Sequence, residues 1–221
     1  MEAIQEKVKK AYDALTKSEV NPRDSWGYIM SKMQVDYRLL SEVSIKGKTI
    51  LNVGCGYPLD EIYFASRIGT WVSVDISPES IKKARTVCEY ELPSHFSEKI
   101  SFQEADATDL PFKNESFDIV VSFSAIDHVP GKDRRKRVLH EIARVAKKGG
   151  YVVITVPNLL NVRFYIYNKR FGQKVYGFAH CFTPWELRKM LTESGLSPLR
   201  FASTFWIIGR RMGYLARKGR G

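Results

Sequence analysis

The sequence predicts an α/β domain built on a doubly wound, mostly parallel sheet with helices on both faces. Three observations predict it. Short runs rich in β-branched residues alternate with helix-length amphipathic stretches. Two of those runs, at 117–123 (FDIVVSF) and 151–156 (YVVITV), are apolar almost throughout. Four of them end in glycine or in a polar residue. Alternation implies βαβ units with right-handed crossovers, and near-continuous apolar strands fit a sheet covered on both sides.

The elements follow in order. Residues 3–15 place Ile4, Val8, Ala11 and Leu15 near helical spacing, and residues 25–43 do the same with Ile29, Met33, Leu39, Leu40 and Val43. Asn21-Pro22 marks the turn between them. Residues 48–53 (KTILNV) form a strand ending in Gly-Cys-Gly, followed by a helix over 59–68. Residues 70–75 (TWVSVD) form the second strand. Ser77-Pro78-Glu79 then supplies an N-cap with proline at the first helical position, opening a helix over 78–90. Strands at 100–104 and 117–123 follow. A helix over 132–147 carries Val138, Ile142, Val145 and Ala146 inward and stops at Gly149-Gly150. The fifth strand is 151–156. Thr183-Pro184-Trp185-Glu186 is a capping box for a helix ending near Gly195, and 198–203 and 213–217 read as two last strands.

A chain of 221 residues and 25.4 kDa, with 44% apolar and 27% charged residues, suits one domain with a real core. No apolar run approaches the roughly eighteen residues of a membrane span. The opening MEAIQEKVKKAYDAL has no apolar segment of the kind a secretory signal needs. Three widely spaced cysteines (Cys55, Cys88, Cys181) fit neither a disulfide framework nor a zinc site, and no other metal site is expected. A cytoplasmic, reducing location is therefore expected, either free or peripheral to the inner face of a membrane. The net charge of +11 is unevenly spread. Residues 1–141 hold 20 basic and 22 acidic side chains, whereas 142–221 hold 15 basic and 2 acidic. The last third offers either a surface for an anionic partner or a solvated basic face.

In open α/β sheets, ligands bind beyond the carboxyl ends of the strands. Gly54 and Gly56 after the first strand allow a tight turn and close backbone approach by a ligand, or simply a strand-to-helix turn. Asp75 ends the second strand, 19 residues after Gly56, where a carboxylate can accept two ribose hydroxyls. Asp106, after the third strand, can accept from an adenine amino group. Asp127 and His128, in the SFSAIDHVP segment after the fourth strand, are expected to face the substrate side, where His128 can serve as a general base, or else both only shape the loop. A nicotinamide fingerprint would need a third glycine at position 59, where Leu59 stands; P-loop and serine-elbow patterns are absent.

The ordered set ILNVGCG, WVSVDIS, FQEADATDLPF, FDIVVSFSAIDHVP and EIARVAKKGGYVVITVPN resembles the class I S-adenosylmethionine-dependent methyltransferases, in particular the subgroup acting on quinones and other small molecules. HCFTPWELRKMLTESGLSPLRF resembles that family's last helix and strand, and YLARKG its antiparallel final strand. The resemblance implies a Rossmann-like, seven-stranded single domain over 1–221. In it, 1–44 would be an N-terminal helical cap, 45–157 the cofactor-binding core, 158–182 a lid or substrate segment, and 183–221 the last helix and strands. It implies S-adenosyl-L-methionine as cofactor and S-adenosyl-L-homocysteine as product. Gly54 and Gly56 would pass close to the methionine part, Asp75 would bind the ribose, and Ile76 would pack on the adenine. Asp106 and Ala107 would contact the adenine edge, with Ser122 and Phe123 beside the methionine. Pro58 stands where the family often has a further glycine. His128 would be the base, with Asp127 orienting it.

The acceptor is to be read from the variable parts. Residues 158–182 hold seven aromatics, four basic residues (Arg163, Lys169, Arg170, Lys174) and no acid, and Trp206, Ile207 and Ile208 precede Arg210 and Arg211. These can form a folded lid. They can also form an apolar pocket beside an anionic membrane surface, with a lipid-like or quinone-like acceptor. A third reading stacks the aromatics on RNA bases. A small or lipid-like acceptor is favoured over RNA, because the segment after the fourth strand lacks the Asn/Asp-Pro-Pro-aromatic pattern associated with methylation of base amino groups. A protein acceptor comes third, and a non-enzymatic cofactor-binding regulatory or scaffold subunit is the remaining alternative.

Overall fold

In the computed structural model of the chain, residues 32–172, 178–204 and 209–219 are described, together with Glu6, Lys10 and Met30. Apart from Glu6 and Lys10, the helix expected over 3–15 lies outside the described residues, as do the turn at Asn21-Pro22, Lys174, Tyr176 and the Trp206, Ile207, Ile208 run. Seven strands, β1 (Thr49–Val53), β2 (Thr70–Asp75), β3 (Ile100–Glu104), β4 (Phe117–Phe123), β5 (Ala146–Pro157), β6 (Leu196–Ser203) and β7 (Arg211–Lys218), form one sheet. Their order is β3-β2-β1-β4-β5-β7-β6. Pairs among β1 to β5 are parallel, and β7 runs antiparallel to both β5 and β6. The described helices are α1 (Arg38–Ser41), α2 (Leu59–Phe64), α3 (Pro78–Glu91), α4 (Ser94–Ser97), α5 (Lys132–Val145), α6 (Val162–Tyr167) and α7 (Pro184–Glu193).

The period-2 alternation of each strand divides the core between the two faces. Leu51, Val120, Val152 and Ile154 pack with Val138, Leu139 and Ile142 of α5 and Leu187 of α7. Their neighbours Ile50, Ile119, Val121 and Val153 pack with Leu39 and Leu40 of α1, Phe64 of α2 and Ala84 and Cys88 of α3. Both faces are apolar, which is why the central strands read as continuous runs. The helix starts follow their capping residues. Ser77 Oγ accepts from Ser80 N at 3.0 Å and Thr183 Oγ1 from Glu186 N at 3.1 Å, each with proline at the start of the helix. The Glu186 carboxylate, expected to complete a capping box, is directed instead to His180 Nε2 at 3.0 Å.

Two local expectations are corrected. The helix predicted over 132–147 ends at Val145, and Ala146 already pairs with Phe117 as the first residue of β5. Gly149 and Gly150 lie within that strand at a bulge rather than at a helix end: a Cβ on Gly150 would sit 2.9 Å from Asp118 O and 2.8 Å from Lys147 O, and the register against β4 shifts here. The helix predicted over 25–43 contains a π-turn at Met33–Tyr37. The wider turn rotates the face, burying Val35, Asp36 and Tyr37 and leaving Met33 44% exposed.

The turn between β1 and α2 is tight. Gly54 N and Cys55 N both donate to Val74 O, at 2.8 and 3.0 Å. Gly54 adopts φ +78°, and a Cβ there would lie 2.2 Å from Ala125 Cβ in the segment after β4. Gly54→Ala is therefore expected to cost roughly 1–3 kcal/mol through backbone strain and displacement of the Ala125 segment. Chemical denaturation measures it, and wild-type stability would mean that the segment yields freely.

Beneath this turn, Glu61 of α2 is fully buried. Its Oε1 accepts from Asn52 Nδ2 of β1 at 2.9 Å and Ser73 Oγ of β2 at 2.5 Å. Burial, with Asp60 alongside, pushes the carboxyl up from 4.5 to about 7. The unfolded chain ionises first as pH rises, so the contribution of this group is full below its unfolded value and is lost as pH climbs through the folded one. Glu61→Gln is expected to match wild type in melting temperature near pH ~4.5 and to exceed it progressively toward pH ~8. A difference that does not change with pH would contradict this ionisation.

Candidate functional site

The strand order reverses between β1 and β4, and an open cleft lies at their carboxyl ends. The first four strands, or the turns that follow them, deliver residues to it. β1 supplies Val53 and Gly54; β2 supplies Val74, Asp75 and Ile76; the turn after β3 supplies Ala105, Asp106 and Ala107. β4 and its extension supply Ser122, Ser124, Ala125, Ile126 and His128, and α5 closes the side with Arg134 and Val138.

Asp75 is buried, and both of its oxygens receive backbone donors. Oδ2 accepts from Gly56 N at 2.9 Å and Oδ1 from Ser77 N at 2.9 Å. The carboxylate thus ties the turn after β1 to the turn after β2, and its plane is set at the cleft edge. Gly56 acts from behind through this bond and does not line the cleft. Asp106 Oδ1 accepts from Thr108 N and Oγ1 at 2.8 and 2.9 Å, while Oδ2 accepts from Arg134 Nη2 at 3.0 Å. Its side chain is 38% exposed, at the open end. Arg134 was not foreseen, because it sits in an ordinary basic helix start (KDRRKR) whose position over Asp106 depends on where α5 packs.

Ser122 is fully buried, and its hydroxyl donates to Val53 O at 3.0 Å, joining β4 to β1 at the cleft floor. Phe123, expected beside the cofactor, points to the opposite face, where Lys32 Nζ lies 4.9 Å from its ring centroid. Alternation along β4 makes this unavoidable: Ser122 and Phe123 cannot both face the cleft. Ser124 does line it, in the left-handed region at φ +53°, with Arg211 Nη2 donating to its hydroxyl at 2.8 Å. Arg211 also pairs with buried Asp36, which meets Lys32 at 3.2 Å, and Lys32 meets Asp60 at 2.9 Å. This buried chain of two cations and two carboxylates joins the N-terminal π-turn, α2, β7 and the cleft wall.

His128 and Asp127 sit together in a short 3₁₀ turn, Ile126–His128. His128 lines the cleft, but Asp127 is turned inward and is 1% exposed. His128 Nδ1 lies 2.8 Å from Phe178 O and Nε2 lies 3.2 Å from Asp127 Oδ2. A carbonyl can only accept, so Nδ1 carries a proton; a carboxylate likewise only accepts, so Nε2 bonds Asp127 only when it too carries a proton. His180 N donates to Asp127 O at 2.8 Å, so the segment after β5 is stitched to this turn at two points. Arg135 stands behind, buried, with Nη1 donating to Val129 O at 3.1 Å. Desolvation lowers its pKa, and Glu186 and Asp127 act against that shift.

Comparison with known proteins gives concordant matches. A family described as a methyltransferase domain matches residues 51–154. The chloroplastic tocopherol O-methyltransferase of Arabidopsis thaliana is 36% identical over 110 residues, 49% of this chain and 30% of that one. The fatty-acid O-methyltransferase of Mycolicibacterium smegmatis is 30% identical over 125 residues, 56% of this chain and 42% of that one. These matches therefore span less than half the length of either relative. Among solved structures, the N-methyltransferase NodS of Bradyrhizobium japonicum in complex with S-adenosyl-L-homocysteine shares the fold, with TM-score 0.72 and 15% identity over 96% of this chain and 98% of that one. The matched stretch opens inside β1, closes inside β5 and contains the whole wall from Val53 to Val138, so over residues 51–154 the chain is similar to the methyltransferase domain family.

Proposed function

We propose that this chain binds S-adenosyl-L-methionine in the cleft between β1 and β4 and transfers its methyl group to a small apolar acceptor of lipid-like or quinone-like character. The observation that carries the reading is Asp75, held by Gly56 N and Ser77 N at the edge of a cleft whose glycine floor admits no Cβ. The lining fits the cofactor. Val74, Ile76, Ala107 and Val138 offer an apolar slot for a flat ring, and Asp75 stands where a ribose diol needs an acceptor. Gly54 leaves room for a chain to lie against the backbone. Asp106 and Arg134 bound the open end.

When bound, the sulfonium cofactor supplies an already activated methyl group, so the protein's part is alignment and exclusion of water. Asp75 and the Gly54 turn orient one partner. The segment from Ser122 to Pro130 lines the side left for the other. We infer that neutral His128, its Nε2 having left Asp127 and released its proton to solvent, takes the acceptor's proton through the Nε2 lone pair, the Phe178 carbonyl accepting from Nδ1–H throughout. The apolar class of acceptor is supported by the aromatic content of residues 158–182 and by the tocopherol and fatty-acid relatives.

Calorimetric titration tests the cofactor. Micromolar binding of S-adenosyl-L-methionine and S-adenosyl-L-homocysteine, with none of NAD, is expected; absence of both sulfur ligands would overturn the reading. Asp75→Ala is expected to weaken both by about ten- to a hundredfold, the worth of hydrogen bonds to a charged group. His128→Ala is expected to lower kcat on a phenolic acceptor by about a hundredfold while leaving cofactor affinity unchanged. A loss under tenfold would leave His128 as a loop anchor only.

A further inference from the structure

The segment that leaves β5 carries an outward face that neither the cleft nor the core uses. α6 has no buried residue, although five of its six residues are aliphatic or aromatic. Val162 and Ile166, four apart and so on one side of the helix, are 65% and 58% exposed, and Tyr167 is 58% exposed. Arg163, Lys169 and Arg170 are exposed among them. Arg210, reaching across from the start of β7, lies 5.8 Å from the Phe164 ring and adds a further cation. No acidic side chain occurs between Glu141 and Glu186. Exposed aliphatic groups in a continuous patch call for an apolar partner, and the cations around them call for an anionic one.

We propose that this face of α6 docks on an anionic lipid bilayer. The aliphatic side chains enter the acyl boundary, the tyrosines lie at headgroup depth, and the four cations meet the lipid phosphates. Protruding Val162 and Ile166 distinguish this partner from RNA, since aliphatic side chains offer bases no stacking plane. The same segment is bound to the cleft wall through Phe178 O on His128 and His180 N on Asp127, so a docked α6 brings the acceptor side of the cleft to the membrane surface. The value of that placement rests on the lipid-like acceptor proposed above; the docking itself does not.

Co-sedimentation of the full chain with vesicles of phosphatidylcholine, with and without phosphatidylglycerol, at low salt tests it. Binding to the anionic vesicles alone is expected. Arg163→Gln with Lys169→Gln should weaken it about thirtyfold, two cations at about a fivefold factor each. Val162→Ser with Ile166→Ser should weaken it about tenfold or more. Unchanged S-adenosyl-L-homocysteine affinity in both variants shows that they fold. Equal binding of variants and wild type, no binding to anionic vesicles, or displacement from vesicles by single-stranded RNA with loss of RNA binding in both variants would overturn the proposal. Vesicle binding needs no turnover, so its failure leaves methyl transfer untouched, and failure of cofactor binding leaves docking untouched.

Discussion

The arrangement of the cleft depends on one carboxylate. Asp75 closes β2 and accepts the Gly56 and Ser77 amides, one from each of the two turns that open onto the crevice. Parallel strands end side by side, so the amides that start the following helices converge there, and a buried anion is the natural partner for them. Without it, both turns would expose unpaired donors in a largely apolar wall. Under the proposed function, the group that orders the cleft also receives the ribose, so structural and binding roles share one side chain.

A second, quieter constraint is the buried chain of Arg211, Asp36, Lys32 and Asp60. Its charges balance, which a buried ionic set requires, and removing one member would leave an uncompensated charge at a cost of about 3–5 kcal/mol. It draws together the N-terminal π-turn, α2 and the antiparallel strand β7, and through Ser124 it reaches the cleft. The strained left-handed backbone at Ser124 is held where Arg211 can bond its hydroxyl. The last strand and the N-terminal segment are thereby part of the site's wall.

The segment after β5 has two faces with different chemistry. Inward, Phe178 and His180 grip the His128 turn and Phe182 bridges to Asn158 and Leu159. Outward, α6 shows aliphatic groups and cations. An amphipathic reading of residues 158–182 as lid alone accounts for only the first of these.

The sequence by itself determined the alternation of strands and helices, their caps, and the two glycine and aspartate turns at the carboxyl edge. These follow from local signals: periodicity, Ser-Pro and Thr-Pro starts, and glycine where φ must be positive. It located the strand ends closely, from Asp75 to Phe123, because apolar runs stop where the chain meets the crevice. It misjudged Gly149-Gly150, where a helix stop and a strand bulge use the same residues, and it put Ser122 and Phe123 on one side of a strand whose pleat separates them. Only the tertiary structure decided which charges meet. Arg134 over Asp106, Arg211 on Asp36 and Ser124, Asp127 on the outer nitrogen of His128, and Glu186 on His180 join residues from separate elements. Apart from the neighbouring pair Asp127 and His128 and the near pair His180 and Glu186, these groups lie 28 to 175 positions apart in the chain. Side-chain type carries no record of such partners, since pairing depends on how the helices pack against the sheet, and that is set by the summed burial of the whole core.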